Sequence, residues 1–126
     1  MLINDAATLT ELQELYPKYE TALVTNDVQT LTAMFWASPH VMRFGVTENL
    51  YGIEELEAFR KGRSPVNLAR KIVRLDIVTF GTDFGSVTLE FERQTGGKLT
   101  RGRQSQTWVR LPEGWRIVAA HVSLLP

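Results

Sequence analysis

Three groups of side chains in this sequence stand where chemistry is possible. The first is a single arginine in an apolar run, Val41-Met42-Arg43-Phe44-Gly45. Strand alternation sends Arg43 to the side opposite Met42 and Phe44, so it either reaches solvent or enters the interior. A buried guanidinium without a partner is costly and needs an anion. That anion is either an acid of the chain, such as Glu48 or Glu90, or the carboxylate of a ligand, which an arginine fork holds with two hydrogen bonds.

The second group is a pair of phenols, Tyr16 and Tyr19, on the apolar face of the first helical pattern. Such a phenol either packs in a core with its hydroxyl tied to a backbone carbonyl or offers a proton to a pocket. At about 100° per residue the two stand about 300° apart around the axis, on adjacent faces.

The third group lies on Arg103 to Ser123, RQSQTWVRLPEGWRIVAAHVS, two β-rich arms around Pro112-Glu113-Gly114. This reads as a long antiparallel hairpin turning at Leu111 to Gly114. If Arg110 pairs with Trp115, then Trp108 faces Ile117, Gln106 faces Ala119 and Gln104 faces His121, all on one side of the sheet. That side is apolar near the turn and polar beyond it. Gln104 and His121 can hydrogen-bond an amide or urea there, or His121 is a structural histidine. Ser105 falls on the opposite side, and a one-residue bulge would exchange it with Gln104. Asn49 is a further amide, and Arg63 is either a second carboxylate clamp at a pocket mouth or an exposed loop charge. Glu90 and Glu92 alternate with Leu89 and Phe91 and read as a solvated or subunit-facing strand face.

Composition narrows the classes. The chain has 126 residues, with 14 Lys plus Arg against 14 Asp plus Glu, so no global field draws nucleic acid or an anionic membrane and any anion site is local. It has no cysteine and only His40 and His121, which excludes disulfides, thiol nucleophiles, thiolate metal sites and a histidine cluster. Cofactor-free chemistry or simple binding remains. No apolar run approaches the roughly 20 residues of a membrane span, and MLINDAATLT lacks a secretory pattern, so a cytoplasmic location is expected. The length suits one domain, 1–126, with one core.

The elements that must position these residues follow in order. Asp5 caps a helix over 6–25, within which Pro17 is expected to kink or restart the chain. Asn26-Asp27 ends it and caps a second helix, 28–36, closed by Ser38-Pro39. Two short strand pieces, Val41 to Gly45 and Asn49 to Gly52, precede a helix over Ile53 to Lys61 and a polar loop over 62–65. From Arg70 the period changes to two, predicting strands 70–80, 84–93, 101–111 and 115–125, with turns at Gly81-Thr82-Asp83 and Gly96-Gly97. Helices first and an antiparallel meander after predict an α+β domain with three helices on a strongly curved, mainly antiparallel sheet. An outer sheet side carrying Leu75, Val87 and Val109 predicts a homodimer.

This order, ending in Trp115-x-Ile117-x-x-x-His121-x-Ser123, resembles the cone-shaped nuclear-transport-factor-2-like superfamily, which includes SnoaL-type and ketosteroid-isomerase-type enzymes. More narrowly, Arg43-Phe44-Gly45-Val46-Thr47-Glu48-Asn49-Leu50-Tyr51-Gly52, Gly102-Arg103-Gln104-Ser105-Gln106-Thr107-Trp108 and Gly114-Trp115-Arg116-Ile117-Val118-Ala119-Ala120-His121-Val122-Ser123 resemble the AtzH-like family, related to the oxalurate-catabolism protein HpxZ.

The resemblance implies nitrogen catabolism alongside an amidase, and removal of one N-carboxyl group from 1,3-dicarboxyurea to leave allophanate. It also implies Tyr19 and Arg43 as the residues that carry the reaction; on the chemistry above, Tyr19 would protonate nitrogen and Arg43 bind a carboxylate, while His121, Gln104, Ser105, Asn49 and Arg63, read from their own positions, are expected to contact the rest of the substrate. A non-catalytic binding or assembly partner of an amidase is the rival reading. An isomerase or dehydratase using His121 and an acidic base is a third, disfavoured because the Val41 to Phe44 strand contains no aspartate.

Overall fold

In a computed structural model describing residues 1–126, the first helix, α1, spans Ala6–Thr25. The Asp5 carboxylate accepts from the Thr8 amide and hydroxyl and satisfies the start of the helix. Leu12, Tyr16, Tyr19, Ala22 and Leu23 form its buried stripe. The helix does not restart at Pro17 as expected. Pro17 and Gln13 both lie on the exposed side, so the carbonyl that loses its amide partner can turn to water.

Asn26 ends α1 in the left-handed conformation (φ 48°), and Asp27 caps α2, Val28–Met34. The helix stops short of the expected residue 36, because Phe35 is extended and buried and forms a bridge to Ile117. Strands β1 (Met42–Phe44) and β2 (Asn49–Tyr51) form a short hairpin, and α3 follows over Ile53–Gly62. The meander comprises β3 (Lys71–Phe80), β4 (Phe84–Thr95), β5 (Lys98–Leu111) and β6 (Gly114–Leu124). Gly96 and Gly97, both at positive φ, make the two-residue turn between β4 and β5.

The six strands form one open, mixed sheet in the order β2-β1-β6-β5-β4-β3, with β1 parallel to β6. Val87, Leu89 and Phe91 on β4, Gln104, Gln106 and Trp108 on β5, and Trp115, Ile117 and Val122 on β6 are buried on the inner face. The helices close over that face. Two expectations about the outer face are therefore corrected. Val87 is fully buried opposite Gln106, and Leu75 shares its side because it pairs with Leu89, leaving only Val109 of the three on the outer phase.

The final hairpin follows the expected register from its turn as far as Trp108 opposite Ile117. There β6 carries one extra residue, Val118, so Thr107 pairs with Ala119, Gln106 with Ala120, Ser105 with His121 and Gln104 with Val122. A one-residue bulge reverses every side chain beyond it. No helix is long and apolar enough to cross a membrane.

Candidate functional site

The bulge also fixes where Arg43 points. Past Val118 the inner phase of β6 passes to Ala120, and β1 lies parallel beside it with Arg43 opposite Ala120. The small side chain of Ala120 leaves room for the guanidinium, which is 4% exposed while Met42 beside it is 43% exposed. Alternation thus brings a cation into the interior. Glu48, arriving from the β1–β2 turn, accepts from Arg43 Nη1 at 3.1 Å. The second Glu48 oxygen is taken by the Thr47 amide and hydroxyl. Burial works to raise the Glu48 carboxyl, but the hydrogen bonds from Thr47 and Arg43 outweigh it and hold the group below its usual 4.5. Arg43 Nε is buried without a partner, so one edge of the fork remains free.

A cavity of about 320 Å³ opens in front of this pair. Arg43, Arg63, Arg70 and Arg93 line it together with Glu48, and Phe59, Phe91, Leu23 and Val122 supply apolar wall. Phe59 forms a shelf between two cations, with the Arg43 and Arg63 guanidiniums each 5.6 Å from its ring centre. Burial lowers the Arg63 pKa, and repulsion from Arg43 and Arg93 lowers it further.

Arg60 stands behind this wall. It lies one helical turn beyond Leu56 on the buried stripe of α3 and is 2% exposed. No carboxylate pairs with the Arg60 guanidinium, and the Tyr19 phenol is the polar side chain set against it. Burial pushes the Arg60 pKa down to about 10, the Tyr19 phenol beside it works in the opposite direction, and Arg43 and Arg63 push it down further. Asn26 holds this end of α3 in place, donating from Nδ2 to the carbonyls of Arg60 at 2.9 Å and Arg63 at 3.1 Å.

Arg70 has a different role. Its Nε and Nη2 form a fork on Glu20 at 2.7 and 2.8 Å, Nη2 also donates to Gln104 Oε1 at 2.8 Å, and the guanidinium lies 4.4 Å from the Phe91 ring centre. Burial would lower its pKa, but Glu20 prevails and raises it. Tyr16 closes the network, donating to Glu20 at 2.9 Å and accepting from Gln104 at 3.0 Å. Burial, then the Glu20 charge, drive the Tyr16 phenol well above the ordinary tyrosine range. Tyr16 is therefore a tied structural hydroxyl. Tyr19, equally buried and packed 5.7 Å from the Tyr16 ring, turns toward Arg60.

The other expected site residues fare unevenly. Arg63 lines the cavity. Gln104 faces inward, but its carbonyl and amide are both used by Arg70 and Tyr16, which leaves it a wall rather than a free ligand. His121 and Ser105 pair with each other on the outer face, where His121 packs edge-on to Phe44 at 5.9 Å, because Val118 shifts them out of the inner phase. Asn49 is exposed on β2 and does not line the cavity. Glu90 is exposed, as its alternation predicts.

Arg70 and Arg93 line the cavity and Arg60 and Glu20 stand behind it, and none of the four was anticipated. Two carried a signal. Arg60 is i+4 from Leu56 on the apolar stripe, and Arg93 continues the inward phase of Val87, Leu89 and Phe91. A cation on an apolar phase is the same mark that singles out Arg43. No three His, Asp or Glu side chains come together to hold a metal ion.

Solved structures share this architecture, three of them as follows. A protein of unknown function from Pectobacterium atrosepticum is 46% identical, with a TM-score of 0.94 over 98% of this chain and 95% of its own. A protein with a cystatin-like fold from Burkholderia xenovorans is 42% identical, with a TM-score of 0.91 over 100% of this chain and 99% of its own. A nuclear-transport-factor-2-like superfamily protein from Salmonella enterica is 21% identical, with a TM-score of 0.79 over 96% and 93% of the two chains. No functionally curated protein matches.

Three helices on an open six-stranded sheet with a polar cavity between them define a nuclear-transport-factor-2-like, or cystatin-like, fold. The AtzH-like family model matches residues 1–126, and the chain belongs to that family. Family and fold together support a small enzyme-like or ligand-binding domain.

Proposed function

We propose that this chain is a cofactor-free enzyme of ureide or cyanuric acid nitrogen catabolism that removes one N-carboxyl group from 1,3-dicarboxyurea, or a related carboxylated urea, to give allophanate. The observation that carries this reading is the charge balance of the cavity. Five guanidiniums, those of Arg43, Arg60, Arg63, Arg70 and Arg93, surround or back it, and the only carboxylates paired with them are Glu48 and Glu20. Arg43 and Arg60 are buried and Arg63 and Arg93 half-buried, and an excess of positive charge so placed favours a bound anion. At about 320 Å³ the cavity is at the small end of ligand sites, which run from roughly 300 to 1,000 Å³.

In this reading the free edge of Arg43 holds the carboxylate that leaves. Tyr19 delivers its proton to nitrogen as the C–N bond breaks, the bonding pair stays on nitrogen, and the carboxylate departs as carbon dioxide. Solvent then returns a proton to the phenolate. Attack of water on the carboxyl carbon, the amidohydrolase route, gives the same allophanate with bicarbonate as the other product. Holding the scissile bond between a fixed cation and a fixed acid supplies both orientation and proton transfer.

A second reading, a non-catalytic carrier or assembly partner of an amidase, is favoured by one observation: Tyr19 does not line the cavity. Purified protein free of amidase separates the two. Multiple equivalents of allophanate per protein chain support the enzyme, whereas stoichiometric binding without release supports the carrier. The homodimer stays part of the proposal through the outer sheet face, where Met42, Tyr51 and Phe84 are exposed.

A further inference from the structure

Four guanidiniums line the cavity, and two of them, Arg63 and Arg93, have no acid of their own. Arg43 is paired with Glu48 and Arg70 with Glu20. The acids that flank the other two along the chain are engaged elsewhere: Glu57 pairs with Lys61, and Glu92, on the opposite phase of β4, pairs with Arg101 at 3.2 Å. Alternation along β4 buries Phe91 and carries Arg93 inward two residues later.

Both side chains are held in position from the loop between α3 and β3. Arg93 Nη2 donates to the Asn67 carbonyl at 2.9 Å, and Arg93 Nε is buried without a partner. A neutral carbonyl orients the guanidinium and leaves its charge unbalanced. Arg63, four residues before Asn67, rests its guanidinium over Phe59, and its own carbonyl is fixed by Asn26. Arg43 lies over the same ring at the same 5.6 Å, so twice that distance is the most that separates the two cations. An extended small molecule with three atoms between its carboxylates, and a hydrogen-bonded guanidinium at each end, spans about as much.

We propose that Arg63 and Arg93 together form the main anion subsite of this cavity, which holds the carboxylate that the reaction does not remove. The proposal deepens the reading of a dicarboxylated urea and rests on it for the identity of the natural ligand. A lone carboxylate favours this subsite over Arg43, because Glu48 already offsets the Arg43 charge and no acid offsets these two. The monocarboxylated product therefore keeps its anchor after the other carboxylate has gone, and it competes with substrate.

The test uses the intact chain, with glutarate as a two-carboxylate probe in which three methylenes replace the urea bridge, and butyrate as its one-carboxylate counterpart. Calorimetric titration at low, fixed ionic strength compares wild type with Arg63→Met, Arg93→Gln and the double variant Arg43→Met with Glu48→Gln. Glutamine at 93 removes the charge and keeps a donor for Asn67. Wild type is expected to bind both probes, glutarate more tightly. Arg63→Met and Arg93→Gln each weaken both probes by roughly tenfold or more, the loss of a charged hydrogen-bond donor. The double variant binds glutarate no better than butyrate and keeps butyrate within about threefold of wild type. Melting temperatures without ligand report folding, and both single variants are expected to match or exceed wild type, since each relieves repulsion in the cavity wall.

Wild-type affinity for butyrate in either single variant, loss of butyrate in the double variant, or no binding of either probe to wild type overturns the proposal. If the probes behave as expected but wild type does not turn over 1,3-dicarboxyurea, the subsite stands and the reaction assigned above does not.

Discussion

The Tyr16 hydroxyl accepts a hydrogen bond from the Gln104 side-chain amide at 3.0 Å, joining the first helix to the middle of β5. Gln104 in turn accepts from Arg70, and Arg70 forks onto Glu20 one turn along from Tyr16, so the circuit closes within the core. Buried polar groups are stabilising only when every member is satisfied, and here each one is. Tyr16→Phe removes the donor to Glu20 and the acceptor for Gln104. It is expected to cost about 1–3 kcal/mol in chemical denaturation, the cost of an unsatisfied buried group, while leaving turnover within a few fold.

Asn26 offers a sharper test of how the cationic wall is held. It occupies a left-handed backbone conformation and ties two carbonyls of α3. Asn26→Ala loses both hydrogen bonds and adds the steric cost of a Cβ at positive φ, together roughly 2–4 kcal/mol of stability. Asn26→Gly removes the bonds without the strain and should fall between wild type and the alanine variant. Denaturant midpoints of the three proteins check the order.

Glu48 makes the Arg43 pair sensitive to acid. Its folded pKa is depressed below 4.5, so the stability it contributes is present above about that value and is lost as pH falls through the folded value. Wild type and Glu48→Gln are expected to differ most in melting temperature near pH 6 and to converge toward pH 3. A gap that widens on acidification would contradict the pairing.

Gly102 is packed directly against a wall of the cavity. A Cβ there would collide with the Phe91 ring, which itself lies against Arg70. Gly102→Ala is expected to push Phe91 toward the cavity and cost about 1–3 kcal/mol, as overpacking does, with weaker binding of dicarboxylates in the same titration.

Much of this architecture was legible in the sequence. Caps at Asp5 and Asp27, turn glycines and the change to a period of two place the three helices and the four long strands within a few residues. Arg43 is legible as well, because a charge on the inward phase of an apolar strand has nowhere else to go. The His121 assignment was lost to one residue. Val118 is an ordinary strand former, and nothing local marks it as the extra member of its ladder, so the phase beyond it reverses and places His121 on the outer face. His121→Ala is accordingly expected to leave dicarboxylate binding within about twofold. The Arg70 network was illegible for a different reason: its members come from three segments, α1, Arg70 and β5, tens of residues apart, and meet only when α1 closes over the sheet.

The proposed reaction depends on Tyr19 acting as an acid and Arg43 as a carboxylate clamp on the same substrate. Steady-state release of allophanate from 1,3-dicarboxyurea by amidase-free wild type, Tyr19→Phe, Arg43→Met and Tyr16→Phe tests it most directly. The expected pattern is a fall in kcat of roughly 10²–10⁴-fold for Tyr19→Phe, a rise in KM with loss of kcat/KM for Arg43→Met, and near wild-type turnover for Tyr16→Phe. Folded Tyr19→Phe and Arg43→Met proteins that retain full turnover would contradict it.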